Sequence, residues 1–217
     1  MSFMDLLENN DQKVGITHGV AAGLVTKNDD PNKLGKIKIT FPWLPDDNET
    51  DWIRMTTFMA GLEMGGIFLP EVGDEVLVAF EHGDLNRPYV IGALWNGKAK
   101  PPEADYVKNN IRKIKSRSGH EIIFNDDKES SKEKIEIHTN ANHKIIMDDS
   151  EGKEKIEIID KTGNNKITID SVQNSINIES ALNLKIKANV IEIEGTTSLT
   201  LKSNANLTIQ GLPVKIN

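Results

Sequence analysis

From Ile135 onward the chain repeats one step: two aliphatic residues separated by a single polar residue, then a short polar spacer, then the same again. The steps begin at Ile135, Ile145, Ile156, Ile167, Ile176, Leu184, Ile191, Leu199, Leu207 and Val214, so the spacing runs 10, 11, 11, 9, 8, 7, 8, 8 and 7 residues. A sustained period constrains architecture more than any other feature of a sequence. Side chains alternate sides along an extended segment, so Ile135 and Ile137, or Ile191 and Ile193, share one face. Each step predicts one very short strand. The spacers, among them Thr162-Gly163-Asn164-Asn165, Glu194-Gly195-Thr196-Thr197 and Ser203-Asn204-Ala205-Asn206, hold residues that reverse or corner a chain.

The inward set is Ile135, Ile137, Ile156, Ile158, Ile167, Ile169, Ile176, Ile178, Leu184, Ile186, Ile191, Ile193, Leu199, Leu201, Leu207 and Ile209, with further aliphatics at the remaining steps. About twenty such side chains at roughly 2 kcal/mol each represent on the order of 40 kcal/mol of gross stabilisation, which a lone ribbon has no means to realise. The apolar stripe must therefore meet copies of itself, along one chain or across several. Three late steps sum to 23 residues, about one coil of a single-chain solenoid, and three chains wound on one axis give the same pattern. Periodicity alone leaves both open. Residues 125–217 contain no Phe, Tyr or Trp, and a slender core suits slim branched side chains.

Aromatic residues instead crowd the front: all three Trp, both Tyr and five of six Phe lie between Phe3 and Tyr106, which divides the chain near residues 97–117. Residues 1–100 hold 9 basic against 15 acidic residues and residues 101–217 hold 17 against 18. That balance excludes nucleic acid as a partner, since a phosphate-binding surface needs clustered Lys and Arg. The one dense basic run, Ile111-Arg112-Lys113-Ile114-Lys115-Ser116-Arg117, reads as an ion-paired connector. With no cysteine, neither disulfides nor thiolate chemistry enter. The opening Met1–Asn10 segment lacks the basic and long apolar regions of a secretory signal, which predicts synthesis in the cytoplasm.

Between residues 18 and 97, runs cut by Gly and Pro predict strands at 18–27, 35–43, 51–58, 66–69, 74–80 and 89–94, a set the size of a small Greek-key barrel. The residues say more. Gly35-Lys36-Ile37-Lys38-Ile39-Thr40-Phe41-Pro42-Trp43, Trp52-Ile53-Arg54, Gly65-Gly66-Ile67-Phe68-Leu69-Pro70-Glu71-Val72-Gly73-Asp74-Glu75-Val76, Gly83-Asp84-Leu85-Asn86-Arg87-Pro88-Tyr89 and Trp95-Asn96-Gly97 follow in an order that resembles phage baseplate assembly protein V and the valine-glycine repeat (VgrG-like) spike proteins. The likeness extends through Pro101-Pro102 and Ser116-Arg117-Ser118-Gly119-His120 to about residue 130, and beyond that rests on repeat style.

The resemblance implies an all-β chain: an N-terminal arm (1–17), a barrel of the oligonucleotide/oligosaccharide-binding (OB) type (18–97), a connector (98–117), and a C-terminal intertwined triple-stranded β-helix needle (118–217) of a homotrimer. It turns the inward set above into a trimer core. Ten layers at about 4.8 Å give a needle of roughly 50 Å. The implied role is the central spike of a contractile phage tail or phage-tail-like injection particle, which punctures the target envelope when the sheath contracts. A single-chain β-solenoid that binds or cleaves polysaccharide is the alternative. Larger relatives carry a hub module before the barrel, and some carry a lysozyme domain after it. Seventeen residues before His18 and about twenty between Gly97 and Arg117 leave space for neither, so a separate hub protein is expected at the barrel end.

No catalytic or cofactor-binding residue is expected. His138 and His143 fall in different steps with no thiol nearby, and residues 144–217 lack the His-x-His iron motif that tips some relatives, so no metal is expected either. The needle stops in pattern, which leaves Leu212, Val214 and Ile216 to dock a separate tip protein of the proline-alanine-alanine-arginine (PAAR) type. Asp46-Asp47, Asp126-Asp127 and Asp148-Asp149 flank polar turns, where no apolar surroundings raise a carboxyl pKa toward acid catalysis. Phe41, Trp43 and Trp52 are expected to fill the barrel or touch a neighbouring subunit.

Overall fold

The computed structural model describes residues 19–45, 48–103 and 106–215, and the N-terminal arm, His18, Asp46, Asp47 and Ile216 lie outside the described residues. The chain divides into two compact units, residues 1–107 and 108–217. Strands dominate both, and among the described residues the single helical element is a three-residue 3-10 turn at Glu81–Gly83. The chain is all-β, with an OB-type domain in the first unit.

In that unit β1 (Val20–Lys27), β2 (Lys38–Thr40), β3 (Arg54–Met55), β6 (Glu75–Phe80) and β7 (Pro88–Leu94) form one sheet in the order β2-β1-β6-β7-β3. An antiparallel bridge between Ile37 and Ile53, with N–H···O distances of 3.1 and 2.9 Å, joins the two sheet ends and closes a barrel. The β3–β7 pair is parallel, and the other strand pairs of this sheet are antiparallel. This five-stranded Greek-key connectivity is that of the OB fold.

Alternation drives the closure. Val76, Val78 and Phe80 point inward along β6 while Glu75, Leu77 and Ala79 stay half-buried. They meet Val25, Ile37, Ile39, Phe41, Ile53 and Val90 in one core. Phe41 is buried against Phe80 with centroids 5.8 Å apart, Trp43 tilts over Phe41 but is half exposed, and the Trp52 ring stacks under the Lys38 ammonium at 5.6 Å. The expected strand at 66–69 does not form. Instead β4 (Ala60–Gly61) and β5 (Met64–Gly65) make a separate two-stranded hairpin, because Gly61, Gly65 and Gly66 favour a tight reversal over an extended run.

The second unit is a seven-stranded antiparallel meander of β8 (Ile111–Lys115), β9 (Glu121–Asn125), β10 (Lys134–His138), β11 (Lys144–Asp148), β12 (Lys155–Ile159), β13 (Lys166–Asp170) and β14 (Ser175–Glu179), each paired with its sequence neighbour. The first five repeat steps are thus strands β10 to β14. Steps spaced 9 to 11 residues hold a five-residue strand and a reversing turn, so the chain pairs with itself. Steps 7 or 8 residues apart leave only two or three residues for a turn beside a five-residue strand. Accordingly the steps at Leu184, Ile191, Leu199, Leu207 and Val214 form no strand within one chain, and every described residue from 180 to 215 is exposed.

Candidate functional site

Register in the meander puts the members of the inward set from Ile135 to Ile178 on one face, while those from Leu184 to Ile209 lie in no strand. Ile135 lies between Phe124 and Met147, Met147 opposite Ile156, Ile156 opposite Ile169, and Ile169 opposite Ile176. A second column runs Ile114, Ile122, Ile137, Ile145, Ile158, Ile167 and Ile178. Two columns of branched side chains in cross-strand contact make a continuous apolar surface. In one chain that surface faces out: Ile137 is 41%, Ile158 49% and Ile178 54% exposed. A groove of about 680 Å³ runs along it between Ile137, Ile145, Ile158, Ile167, Ile178 and Leu184.

The opposite face is polar and better covered. Glu136 is 9% exposed, with the Lys134 ammonium at 2.9 Å and that of Lys144 at 3.8 Å. Glu157 pairs with Lys155 at 3.0 Å. Glu121 gathers Lys115 at 2.8 Å, Lys113 at 3.2 Å and His138 Nε2 at 3.2 Å, so half of the basic run 111–117 is spent on it. The same run gives Arg112 to Asp126. Long side chains lying across their neighbours shield this face from water, while the shorter Ile side chains leave the other open.

The Lys115 ammonium is the main reason that Glu121 is held at about 2 instead of the ordinary 4.5; partial burial works against this, and His138 and Lys113 add to it. Its folded value is depressed, so the ionised form stabilises the fold above pH 4.5, and that contribution disappears as pH falls from 4.5 to about 2. Discounted for water on the open side of the cluster, the contribution is roughly 1 kcal/mol per chain. Urea unfolding followed from neutral pH into that acidic window is expected to show the parent chain losing about this much relative to Glu121→Gln, whose glutamine does not titrate. Parallel losses in both proteins would show that the cluster carries no stability.

Of the acid pairs, Asp126-Asp127 and Asp148-Asp149 sit where strands give way to turns. Against some desolvation, the Ser130 hydroxyl and N–H hold Asp127 below its usual value, and Ser150 does the same for Asp148. Asp160 is held at about 2 by Asn165, Thr162 and the Gly163 N–H, again against desolvation. A glycosidic general acid needs the opposite shift. His138 and His143 are not brought together: His138 faces Glu121, while His143 Nδ1 accepts the Lys161 N–H at 3.2 Å. Among the described residues no group of three or more His, Cys, Asp or Glu side chains is placed to hold a metal ion. Of the tip residues, Leu212 and Val214 are exposed. The Glu121 cluster escapes a reading of spacing alone, although the short Ser116–His120 turn, once recognised, sets Lys115 opposite Glu121.

Comparison with known proteins supports the same reading. The family described as the Type VI secretion system/phage-baseplate injector OB domain matches residues 21–95, the closed barrel above. Type VI secretion system spike protein VgrG1b of Pseudomonas aeruginosa is 27% identical over 143 residues, 59% of this chain and 19% of the relative. VgrG5 of the same organism, also named a spike protein, is 33% identical over 87 residues, 38% of this chain and 11% of its own. The actin cross-linking toxin VgrG1 of Vibrio cholerae serotype O1 is 30% identical over 113 residues, 48% of this chain and 10% of its own. The chain thus spans a fifth or less of the length of these relatives. Residues 21–95 are thus a barrel of the Type VI secretion system/phage-baseplate injector OB type, and the chain as a whole resembles VgrG-like baseplate and spike proteins.

Proposed function

We propose that the chain is the structural central spike of a contractile phage tail or phage-tail-like injection particle, that it assembles as a homotrimer, and that its needle punctures the target envelope. The observation that carries this is the uncovered apolar face of the meander. Its thirteen side chains from Ile114 to Ile178 are each 36–70% exposed in one chain. Together they expose roughly 1,000 Å² of contiguous apolar surface, about twice the largest patch on a typical soluble monomer. At about 25 cal/mol per Å², covering it contributes on the order of 25 kcal/mol per chain before the entropy of association.

Identical copies supply what is missing. Three meanders set face to face around an axis bury three identical apolar faces against one another, and residues 184–215 of each chain find in the other two the strand partners absent from their own. In this reading 1–17 is an arm, 18–97 the barrel, 98–117 the connector and 118–217 the needle, with the inward set from Ile135 to Ile209 as trimer core. The barrel docks a separate hub protein, and Leu212, Val214 and Ile216 dock a PAAR-type tip protein. The protein is made in the cytoplasm, is assembled into a phage tail or extracellular phage-tail-like particle, and has a mechanical, non-enzymatic role. The self-pairing that a single-chain polysaccharide solenoid requires is absent from residues 184–215.

Light scattering combined with unboiled SDS gels tests the proposal. A mass near three times 24.1 kDa and an SDS-resistant band that collapses on boiling are the expected results. A stable single-chain species, with or without glycan affinity, overturns it.

A further inference from the structure

A second uncovered apolar surface lies in the OB unit, on the segment around the β4–β5 hairpin. Phe58 is 81%, Leu62 91%, Ile67 79% and Phe68 62% exposed, values unusual for side chains of this size on a folded domain. None of the four belongs to the barrel core. The segment is nevertheless built and held. Phe58 and Phe68 stack with centroids 6.3 Å apart at 48°, the Thr57 hydroxyl donates to the Gly66 carbonyl at 2.6 Å, and the Gly66 N–H donates to the Met59 carbonyl at 3.2 Å. A Cβ on Gly66 would collide with the Phe58 ring, and Gly65 sits at φ +145°, where side chains are rarely tolerated. The glycines thus fix a conformation whose effect is to present aromatic and aliphatic side chains to the outside.

We propose that this hairpin is an interface between copies of the chain, the three hairpins converging on the threefold axis so that each Phe58–Phe68 pair is covered by its neighbours. The inference rests on the trimeric reading above and adds to it a contact in the OB unit that the repeat does not encode. Three observations select a second copy as the occupant. With Met59 and Met64 the patch exposes roughly 800 Å², about one partner's share of a standard stable interface and more than soluble monomers leave open. Its charge is wrong for an anionic surface: from Met55 to Gly73 the only ionisable side chains are Glu63 and Glu71, with no Lys or Arg to meet phosphate or a lipid headgroup. Finally, a trimer carries the patch three times, so hairpins that fail to meet would leave the free trimer, before any other protein docks, with roughly 2,400 Å² of exposed apolar surface. Convergence on the axis removes all of it at once.

The chain contains no cysteine, so a single introduced thiol reports its own neighbours without background. Leu62→Cys in the full chain, at a position already exposed, is expected to yield a two-chain band with a short bismaleimide cross-linker in high yield. Asn86→Cys, in the turn at the far end of β6, is the control and is expected to stay as single chains under the same treatment. Light scattering on the same samples separates the two ideas. A mass of three chains with no Leu62→Cys band, or with a band no stronger than the control, overturns the hairpin contact and leaves the trimer intact, which would include the case of a different protein covering the patch. A mass of one chain overturns the trimer and the hairpin contact together.

Discussion

Ile158→Asp is expected to leave the protein as folded single chains of about 24.1 kDa with no trimer at any practical concentration. Ile158 stands in the middle of the apolar face, opposite Ile145 on one side and Ile167 on the other, and is 49% exposed in a single chain. The substitution therefore costs the isolated meander little, since the new carboxylate reaches water and the strand pairing of β12 is untouched. In the proposed trimeric needle the same position lies in the shared interior. Three carboxylates then meet at one level with no basic partner, and each pays several kcal/mol of desolvation on top of mutual repulsion. The total is on the order of 10 kcal/mol per trimer, comparable to the net free energy left once the entropy of association is set against the apolar face. Circular dichroism should retain the β signal while light scattering reports one chain. Lys155→Ser, on the opposite face of the same strand, should still give three chains. A trimeric Ile158→Asp protein would show that this face looks onto solvent.

The alternation that makes this prediction possible was legible from the residues, and so was the barrel. Gly and Pro punctuate its strands, and the run from Gly35 to Gly97 carries both the OB connectivity and the family likeness. What spacing did not disclose was that the tail has two regimes. A step of 10 or 11 residues and a step of 8 look alike as hydrophobic patterns, yet the first forms a five-residue strand with a reversing turn and the second, which leaves at most three residues for a turn, forms no strand within one chain. Nor did the pattern disclose which face is sheltered in a single chain. Glu136 is more covered than Ile135 or Ile137 beside it, because burial of the polar face comes from Lys and Glu chains lying across neighbouring strands, a consequence of register. The strand expected at 66–69 rests on Ile67-Phe68-Leu69, which is apolar and β-prone; the glycines at 61, 65 and 66 beside it carry the contrary signal. The hairpin's outward aromatics have no signature in a sequence, since exposure is a property of what the rest of the chain leaves uncovered.

The division into two regimes leads to the second large effect, which concerns how the copies are held once together. Strands β8 to β14 satisfy their backbone groups within one chain, so copies joined only through the meander touch by side chains and separate by sliding apart. Residues 184–215 have no strand partner in their own chain, and pairing with the other two copies interlocks all three. A chain ending at Glu179 is accordingly expected to keep a mass near three chains in native buffer but to lose its resistance to unboiled SDS. Even five interchain backbone bonds at about 1 kcal/mol each, removed together, raise the dissociation rate by roughly a thousandfold or more. Resistance to detergent is a kinetic property, set by how many contacts must open in one event, and interlocked backbones make that number large. The comparison is between the full chain and the shortened one at equal concentration, read as the fraction of SDS-resistant band over time and as the mass before detergent. If the shortened trimer resists SDS as well as the full chain, the meander face alone supplies the barrier and residues 184–215 do not interlock. If it falls to single chains in native buffer, the apolar face of β8 to β14 is too weak to assemble by itself, and the interlocked segment is what brings the three copies together.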